Sequence, residues 1–168
     1  MSNVVTFYLE MTSPNSLHEK KKPNGFTVRQ DQIKQYQLNR FLYQFIGEQW
    51  QWWDKLSWSK QQWQNYVERN QLKTYIAYFK GTIAGYYELE QQAAGNVEIV
   101  YLGLSPKFVG QGFGGYLLTH ATKSAWTLTN VKRVWVHTCS LDHQSALKNY
   151  QARGFQVYQE STEEQPVD

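Results

Sequence analysis

The residues in this chain whose types and spacing most clearly indicate a chemical role are glycines at the end of an apolar stretch. Gly110, Gly112, Gly114 and Gly115 lie within Val97–Leu118, whose sequence is VEIVYLGLSPKFVGQGFGGYLL. The pattern predicts a strand, a glycine-rich turn and the start of a long helix. Backbone amides at such a turn lack intrahelical partners and lie at the positive end of the helix dipole. Because glycines also let the backbone approach an anion closely, the stretch predicts a phosphate site.

Two familiar phosphate motifs fit this turn poorly. The spacing Gly110-x-Gly112-x-x-Gly115 matches the dinucleotide fingerprint, but only about fifty residues follow the stretch, too few for further strand–helix units. The next predicted strand ends Trp135-Val136-His137-Thr138, without the acidic residue that a dinucleotide site requires. No Gly-Lys-Ser/Thr follows the turn, which excludes a P-loop.

The turn instead resembles the acyl-CoA pyrophosphate loop of the GNAT N-acetyltransferase superfamily. That loop has the pattern Gln/Arg-x-x-Gly-x-Gly/Ala, which corresponds here to Val109-Gly110-Gln111-Gly112-Phe113-Gly114. Val109 departs from the pattern, since Arg or Gln is usual there. Because the loop acts mainly through backbone amides, we expect CoA binding to survive this change.

A second segment supports the resemblance. Asp142–Phe155, DHQSALKNYQARGF, is similar to the family's Asn-x-x-Ala-x-x-x-Tyr-x-x-x-Gly-Phe segment. Ala146, Tyr150, Gly154 and Phe155 fall in place, while His143 stands where Asn is common. The two segments have the family's order and separation and together cover about the C-terminal third of the chain. Neither alone is as specific as the pair.

The resemblance implies a fold, an activity and a co-substrate. The expected fold is the single-domain GNAT fold, an α/β (α+β) mixed sheet, spanning residues 1–168. Its CoA-binding core would span about residues 96–160, and helices at about residues 31–70 would form the acceptor side. The expected activity is direct transfer of acetyl from acetyl-CoA to an amine, without a covalent enzyme intermediate and without a metal. Four scattered histidines and one cysteine likewise show no metal-ligand spacing.

The same resemblance implies which residues contact acetyl-CoA. The end of the strand would pair its backbone with the pantetheine arm, and an N–H near Leu102 would bond the thioester oxygen. The glycine turn would hold the pyrophosphate. The predicted cofactor-binding residues are Leu102, Gly103, Leu104, Gln111, Gly112, Phe113, Gly114, Gly115 and His143.

Two residues are predicted to be catalytic. Tyr150 is the expected acid, because a phenol of pKa about 10 stays protonated at neutral pH and can stabilise a departing thiolate. Glu98 is the expected base, acting directly or through water, because the strand Glu98–Leu104 resembles that of histone-acetylating members. A carboxylate on an apolar strand is expected to be partly desolvated. The other interpretations are a core ring for Tyr150 and an edge carboxylate paired with Lys or Arg for Glu98.

The remaining candidates have weaker signals. His143 either lines the site or caps a helix entry, and His137, which shares a strand face with Trp135, is predicted to be buried. Cys139 is predicted to be a packed thiol, because direct transfer to an amine needs no nucleophile from the enzyme.

The acceptor side is expected to bind an amine. Arg40–Trp58 and Tyr86–Glu90 combine aromatic rings with carboxylates, a combination that suits an ammonium group. The predicted substrate-binding residues are Glu48, Trp53, Tyr87 and Glu88. The favoured acceptor is a small amine such as a diamine, polyamine or amino compound. A protein lysine or N-terminal acetyltransferase and a non-catalytic acyl-CoA-binding regulator remain as alternatives, and the tryptophans equally fit a purely packing role.

Composition limits the other partners. The 168 residues are 41% hydrophobic and 18% charged, as in a folded domain, and the net charge of +3 is too small to argue for nucleic acid. No stretch approaches transmembrane length, and no N-terminal leader pattern is visible. With a single cysteine, these features predict a cytoplasmic protein without membrane or nucleic-acid partners. The resemblance is compatible with a homodimer or higher homo-oligomer.

Hydrophobic periodicity predicts the elements that position these residues. Strands are expected at Val4–Met11, Phe26–Arg29, Thr74–Phe79, Thr82–Glu90, Asn96–Leu104, Arg133–Thr138 and Phe155–Gln159. Helices are expected from Asp31 to about Gly47, at Lys60–Arg69 after an N-cap at Ser59, at Gly112–Thr129 and at Gln144–Ala152. The first helix is expected to bury Leu38, Phe41, Leu42 and Phe45, and the acidic tail after Glu160 to fray.

Overall fold

The computed structural model describes residues 2–165, which form a seven-stranded mixed sheet with four α-helices. The strands are β1 (Ser2–Met11), β2 (Phe26–Gln30), β3 (Leu72–Phe79), β4 (Thr82–Gln91), β5 (Asn96–Leu104), β6 (Arg133–Cys139) and β7 (Gln156–Gln165). The helices are α1 (Tyr36–Gly47), α2 (Lys60–Val67), α3 (Phe113–Trp126) and α4 (Ala146–Ala152). This architecture confirms the predicted mixed α/β fold.

The sheet is organised around one parallel pair of strands. Its order is β2-β3-β4-β5-β6-β1-β7, and every neighbouring pair is antiparallel except β5 and β6. A parallel pair needs a crossover connection, and α3 provides it. Leu117, Leu118 and Ala121 of α3 are fully buried in the main core. The helix that follows the glycine turn is thereby fixed to the centre of the sheet.

Helices α1 and α2 cover the opposite face. Leu42 and Ile46 of α1 pack with Tyr86 of β4, whereas the adjacent Tyr87 belongs to the α3-side core. Trp63 of α2 is 2% exposed. The predicted N-cap of α2 is also confirmed, because the Ser59 hydroxyl accepts from the Gln62 amide at 3.2 Å and the Gln62 side chain bonds back.

The predicted buried face of α1 is wrong in part. Phe41 and Phe45 are 50% and 37% exposed and stack on each other instead. The residue that takes their place is polar, since Asn39 is fully buried. Its amide donates to Thr74 at 2.8 Å and to Glu88 at 2.7 Å, so its burial carries hydrogen bonds that a hydrophobic pattern cannot detect.

The predicted fraying of the acidic tail is also wrong. Strand β7 continues to Gln165, and its partner β1 pairs with it from Ser2 to Glu10. Acidic side chains are compatible with this pairing because the backbone makes the ladder, while side chains such as Glu163 and Glu164 are exposed.

The predicted loop between β1 and β2 folds back over α3 and α4. The His18 amide donates to the Arg153 carbonyl at 2.9 Å, and the Lys20 amide donates to the Thr119 hydroxyl at 2.9 Å. Gly154 permits this approach, because it has φ +106° and a Cβ there would lie 2.0 Å from the Ser16 oxygen. The loop is thereby held beside the N-terminal end of α3.

Substituting Gly154 by Ala is expected to lower the free energy of unfolding by about 3 kcal/mol or more, because backbone strain and a clash coincide. Gly81→Ala is the matched control, since Gly81 also has positive φ (+77°) but no atom lies within 4 Å of its Cβ position. The control should lose only about 1 kcal/mol. Urea unfolding of both variants measures the difference, and equal losses would contradict the role assigned to the Ser16 contact.

Candidate active site

A cavity opens where β5 and β6 diverge. The two strands pair only over Asn96–Glu98 and Arg133–Trp135, although both continue further. Beyond Glu98, the β6-facing edge of β5 therefore has no strand partner. A cavity of about 920 Å³ occupies this gap and is lined by β5, β6, the glycine turn and α4. The predicted contacts Leu102, Gly103 and Leu104 all line it.

The glycine turn borders this cavity and leads directly into α3. Gly110 and Gly112 have φ values of +80° and +85°, in the left-handed region that favours glycine. The Phe113 side chain is buried and stacks on Phe26 at 5.0 Å, which fixes the first turn of α3. The Gln111 side chain is exposed and donates to the Lys107 carbonyl at 2.6 Å. Gly112, Gly114 and Gly115 line the cavity, whereas the predicted contacts Gln111 and Phe113 do not.

Two basic side chains that the sequence analysis missed lie at this helix N-terminus. A Cβ on Gly115 would lie 2.6 Å from Arg153 Nη1 and 3.2 Å from Lys20 Cγ. Arg153 Nε is buried without a hydrogen-bond partner among residues 2–165. Free helix amides, a cradle that a Cβ would fill and two cations suit a pyrophosphate. The only signals in the sequence were the Arg before Gly154 and the basic block at Lys20.

The predicted base lies at the point where the strands separate. Glu98 is 9% exposed, and its Oε2 accepts from Gln92 Nε2 at 2.9 Å. Gln92 Oε1 in turn accepts from Trp135 Nε1 at 2.9 Å. Glu98 Oε1 lies 3.5 Å from His137 Nε2. The carboxylate is therefore held in one orientation with an imidazole beside it.

His137 is not buried as the sequence suggested, because 47% of its side chain is exposed. Along β6 the buried residues are Val134, Val136 and Thr138, so His137 projects from the other face and lines the cavity. The contact with Glu98 raises the pKa of His137 above its ordinary value, although burial acts in the opposite direction. The imidazole can therefore gain or lose a proton while it faces the cavity.

The predicted acid, Tyr150, faces the same cavity from α4. It is 6% exposed, and its ring packs edge-on against Phe155 at 6.1 Å. Among residues 2–165, no side chain or backbone group is hydrogen-bonded to its hydroxyl. Burial, followed by the charge of Asp142, raises the pKa of Tyr150. At neutral pH it is therefore a protonated donor with an unused hydrogen bond.

His143 also lines the cavity, but its Nδ1 already accepts from the Ser145 amide at 3.0 Å. Its ring meets Trp50 edge-on at 5.0 Å. The structure therefore gives His143 the capping geometry that the sequence left as one of two alternatives. Cys139 is partly buried at the end of β6, and burial raises the pKa of its thiol.

The four predicted substrate contacts do not line this cavity. Glu48 is exposed outside it, and Trp53 is 61% exposed. Tyr87 faces α3, where its hydroxyl donates to Ser124 at 2.9 Å. Glu88 is 1% exposed and accepts from Tyr66 and Asn39, so its carboxylate is enclosed by protein. Burial raises the pKa of Glu88, although those hydrogen bonds partly oppose the shift.

Neighbouring residues of the same aromatic segment take their place. This segment and β5 form one part of the cavity wall, which is lined by Trp50, Gln51, Trp52, Asp54, Lys55 and Tyr101. Asp54 accepts from the hydroxyls of Tyr43 and Tyr101 at 2.7 and 2.8 Å. Burial opposes ionisation of Asp54, but these hydrogen bonds and Lys55 outweigh it and hold its pKa below the ordinary value. A fixed carboxylate therefore faces this part of the cavity.

The family follows from a match between residues 36–155 and the Acetyltransferase (GNAT) family, over well over half of the chain. The chain belongs to the GNAT acetyltransferase family. The match confirms that the glycine turn and the segment Asp142–Phe155 resemble those of this family. Members of this family use acetyl-CoA as co-substrate. No curated protein matches this GNAT chain in sequence.

Solved structures share the fold of this GNAT protein. A GCN5-related N-acetyltransferase from Sphaerobacter thermophilus superposes with a TM-score of 0.69 at 16% identity, over 95% of this chain and 50% of the other. One from Kribbella flavida gives 0.66 at 16% identity, over 91% and 54%. The chain thus spans about half the length of these two proteins. An aminoglycoside acetyltransferase from an uncultured soil metagenomic sample, in complex with sisomicin, gives 0.62 at 16% identity, over 86% and 94%.

Two negative findings complete the description of this GNAT protein. Within residues 2–165, no three His, Cys, Asp or Glu side chains are grouped in a way that could hold a metal ion. In the same part of the chain, no helix is both long and apolar enough to cross a membrane.

Proposed function

We propose that this protein transfers an acetyl group from acetyl-CoA to a primary amine of a small molecule. The observation that carries the proposal is the convergence of three groups on one cavity. The Glu98–His137 pair, the unpartnered hydroxyl of Tyr150 and the basic cradle at the start of α3 all border it. A base, an acid and an anion site in one cleft are what direct acyl transfer to an amine needs.

Each part of the cavity has a proposed role toward the co-substrate. The amides of Gly112–Gly115, with Arg153 and Lys20, hold the pyrophosphate. The free edge of β5 at Leu102, Gly103 and Leu104 aligns the pantetheine arm as an added strand would. Acetyl-CoA, when bound, supplies the acetyl group as an activated thioester. His143 contributes to the wall on the α4 side.

Two proton transfers complete the proposed reaction. An amine attacks only when neutral, and Glu98, directly or through water and with His137, takes up the proton that the acceptor loses. Tyr150 donates its hydrogen bond or proton to the departing sulfur. The orientation of Glu98 is set by Gln92 and Trp135, so little reorganisation is needed when an amine arrives.

The proposed acceptor is a small amine, with a diamine or polyamine favoured. Its recognition is assigned to Asp54 and the surrounding rings, because Asp54 presents a charged carboxylate to the cavity. This replaces capture by Glu48 or Glu88, which lie outside the cavity. One structural neighbour is an aminoglycoside acetyltransferase, but at 16% identity that likeness extends to the fold alone.

Arg153→Gln is expected to weaken CoA binding about 10- to 100-fold, because it removes a charge-assisted contact to phosphate. Calorimetric titration measures the Kd for CoA. A higher salt concentration should reduce the difference in Kd between the variant and the native protein. Arg29→Gln is the matched control, since Arg29 is exposed on β2 away from the cavity. If both variants bind CoA as the native protein does, the cradle is not the pyrophosphate site.

A panel of acceptors tests the proposal as a whole. Thiol release and product mass are followed with acetyl-CoA and butylamine, 1,4-diaminobutane, an amino acid or a lysine-containing peptide. We expect acetylated product, with the highest kcat/KM for the diamine. Preference for the peptide would replace the small-amine proposal with protein acetylation. CoA binding without product from any acceptor would favour a non-catalytic regulator.

A further inference from the structure

The ammonium group of Lys55 lies in an aromatic cage beside the active-site cavity. Lys55 Nζ is 4.6 Å from the ring centre of Trp58, 5.2 Å from that of Tyr66 and 5.0 Å from that of Tyr101. It also lies 3.0 Å from Asp54 Oδ2 and 2.9 Å from the Tyr101 hydroxyl. Only 12% of the Lys55 side chain is exposed. Three rings and a carboxylate around one ammonium form a complete alkylammonium site.

The cage is continuous with the cavity. Asp54 and Tyr101 belong to the cage and also line the cavity, as does Lys55, which occupies the cage. Behind them, Glu88 is fully buried and bonded to Tyr66, one of the cage rings. The Tyr86 hydroxyl is buried nearby without a hydrogen-bond partner among residues 2–165. The Asp54 carboxylate and the three rings therefore favour a cation at this position whether or not Lys55 supplies it.

We propose that this cage is the subsite for a second, non-reacting ammonium group of the acceptor, and that Lys55 fills it until an acceptor displaces it. The proposal rests on the proposed function in one respect, that the acceptor is an amine. It adds the substrate class: a molecule with two ammonium groups, one reacting near Glu98 and one held by Trp58, Tyr66, Tyr101 and Asp54.

The position of Lys55 in the chain makes its displacement feasible. It lies between a 3₁₀ turn at Glu48–Trp50 and α2, in a segment that contains neither helix nor strand. The backbone there is held by turn hydrogen bonds, Leu56 to Trp53 at 3.2 Å and Trp58 to Lys55 at 3.1 Å. These bonds and the Lys55 amide bond to Tyr43 do not involve the ammonium group. The side chain can therefore leave the cage while the segment stays in place.

Competition with Lys55 determines which amines can enter the cage. A tethered group has an effective concentration on the order of mM, which a free monoamine must exceed to enter the cage. A diamine whose reacting end is already bound is itself tethered and competes on similar terms. Lys55 thus keeps free monoamines out of the cage and partly offsets the affinity that a diamine gains there, so that removing its ammonium group favours the diamine further.

Amine labelling of the native protein tests occupancy of the cage without catalysis. Reductive methylation is carried out in tetramethylammonium chloride, which cannot react with the reagent, and separately in sodium chloride at equal concentration. Mass spectrometry then measures how far Lys55 is methylated in each salt. We expect labelling of Lys55 to rise several-fold with tetramethylammonium, while exposed Lys60 is unchanged. Equal Lys55 labelling in both salts would overturn the proposal, whether or not the protein acetylates amines.

A substitution tests the link to substrate choice. Lys55→Met removes the competing ammonium and keeps an apolar stem, so the ratio of kcat/KM for 1,5-diaminopentane to that for butylamine should rise about tenfold. Adding Trp58→Leu should cancel the rise. An unchanged ratio in a folded Lys55→Met variant would overturn the subsite. If that variant does not fold, the labelling result on the native protein decides, and absence of turnover with every amine would count against the proposed function alone.

Discussion

Tyr150→Phe is expected to lower kcat about 100-fold while leaving the affinity for CoA nearly unchanged. Proton donation by a positioned side chain typically contributes a factor of about 100 to 10,000. The Tyr150 hydroxyl makes no hydrogen bond within residues 2–165, and burial keeps it protonated at neutral pH by raising its pKa. Its only evident partner is therefore a group that enters the cavity. Steady-state kinetics and calorimetric titration with CoA measure the two quantities.

The same feature separates catalysis from stability in this variant. Because the hydroxyl has no partner in the described part of the chain, its removal leaves no buried acceptor unpaired there, and the free energy of unfolding should change by less than about 0.5 kcal/mol. Tyr158→Phe is the matched control, since Tyr158 is 42% exposed on β7, outside the cavity. Equal losses in kcat and in CoA affinity would contradict the acid role and indicate that Tyr150 only shapes the pocket.

The parts of the fold that could be predicted from sequence are those governed by neighbours along the chain. The apolar stretch at Asn96–Leu104 predicted the bounds of β5 as observed, and Ser59 marked the start of α2. The predicted strands Thr74–Phe79 and Thr82–Glu90 leave only Lys80 and Gly81 between them, and both residues adopt the positive φ values of a two-residue hairpin. Each of these signals lies within the sequence of a single strand or turn, so it can be recognised without knowing the rest of the fold.

The parts that could not be predicted depend on contacts between distant segments. Arg153 reaches Gly115 only because α4 packs beside α3, and Lys20 joins them through a loop more than ninety positions away from Thr119. The face of α1 was misassigned because Asn39 is buried by hydrogen bonds to β3 and β4. Hydrophobic periodicity carries no information on such pairs.

The acceptor side shows the same limit more sharply. Part of the predicted acceptor-side segment Arg40–Trp58 does line the cavity, but a turn decides which of its side chains face inward. Gln51 adopts φ +58°, after which Trp52 packs inward and Trp53 is exposed. A composition of rings and carboxylates therefore indicates ammonium chemistry without indicating which carboxylate performs it.

Glu98→Gln is expected to lower kcat/KM about 100-fold with CoA affinity retained, because it removes the proposed proton acceptor but keeps the hydrogen-bonding shape. Glu90→Gln is the matched control, since Glu90 also accepts from Gln92, at 2.9 Å, yet does not line the cavity. Steady-state kinetics with a diamine and acetyl-CoA measure both variants. Similar losses in the two would show that the shared Gln92 network, rather than the Glu98 carboxylate, matters.

The pH dependence of this pair gives an independent test. Contact with Glu98 raises the pKa of His137 above about 6.5, so the protonated imidazole stabilises the folded protein. That stabilisation is complete below the unfolded-state pKa and is lost as pH rises through the folded-state pKa. The unfolding free energies of the native protein and His137→Asn should therefore differ most in acid and converge above that pH.

Activity should change in the opposite sense, because the pair must lose its proton before it can accept one from the amine. In the native protein, kcat/KM should rise as pH passes through the raised His137 pKa. In Glu98→Gln, the increase in residual kcat/KM should occur at a lower pH than in the native protein, because the carboxylate that raises the His137 pKa is absent. In His137→Asn, this acid limb of the pH profile should be absent. An acid limb at the same pH in all three proteins would assign the titration to the amine itself, and the base would then have to be sought elsewhere in the cavity.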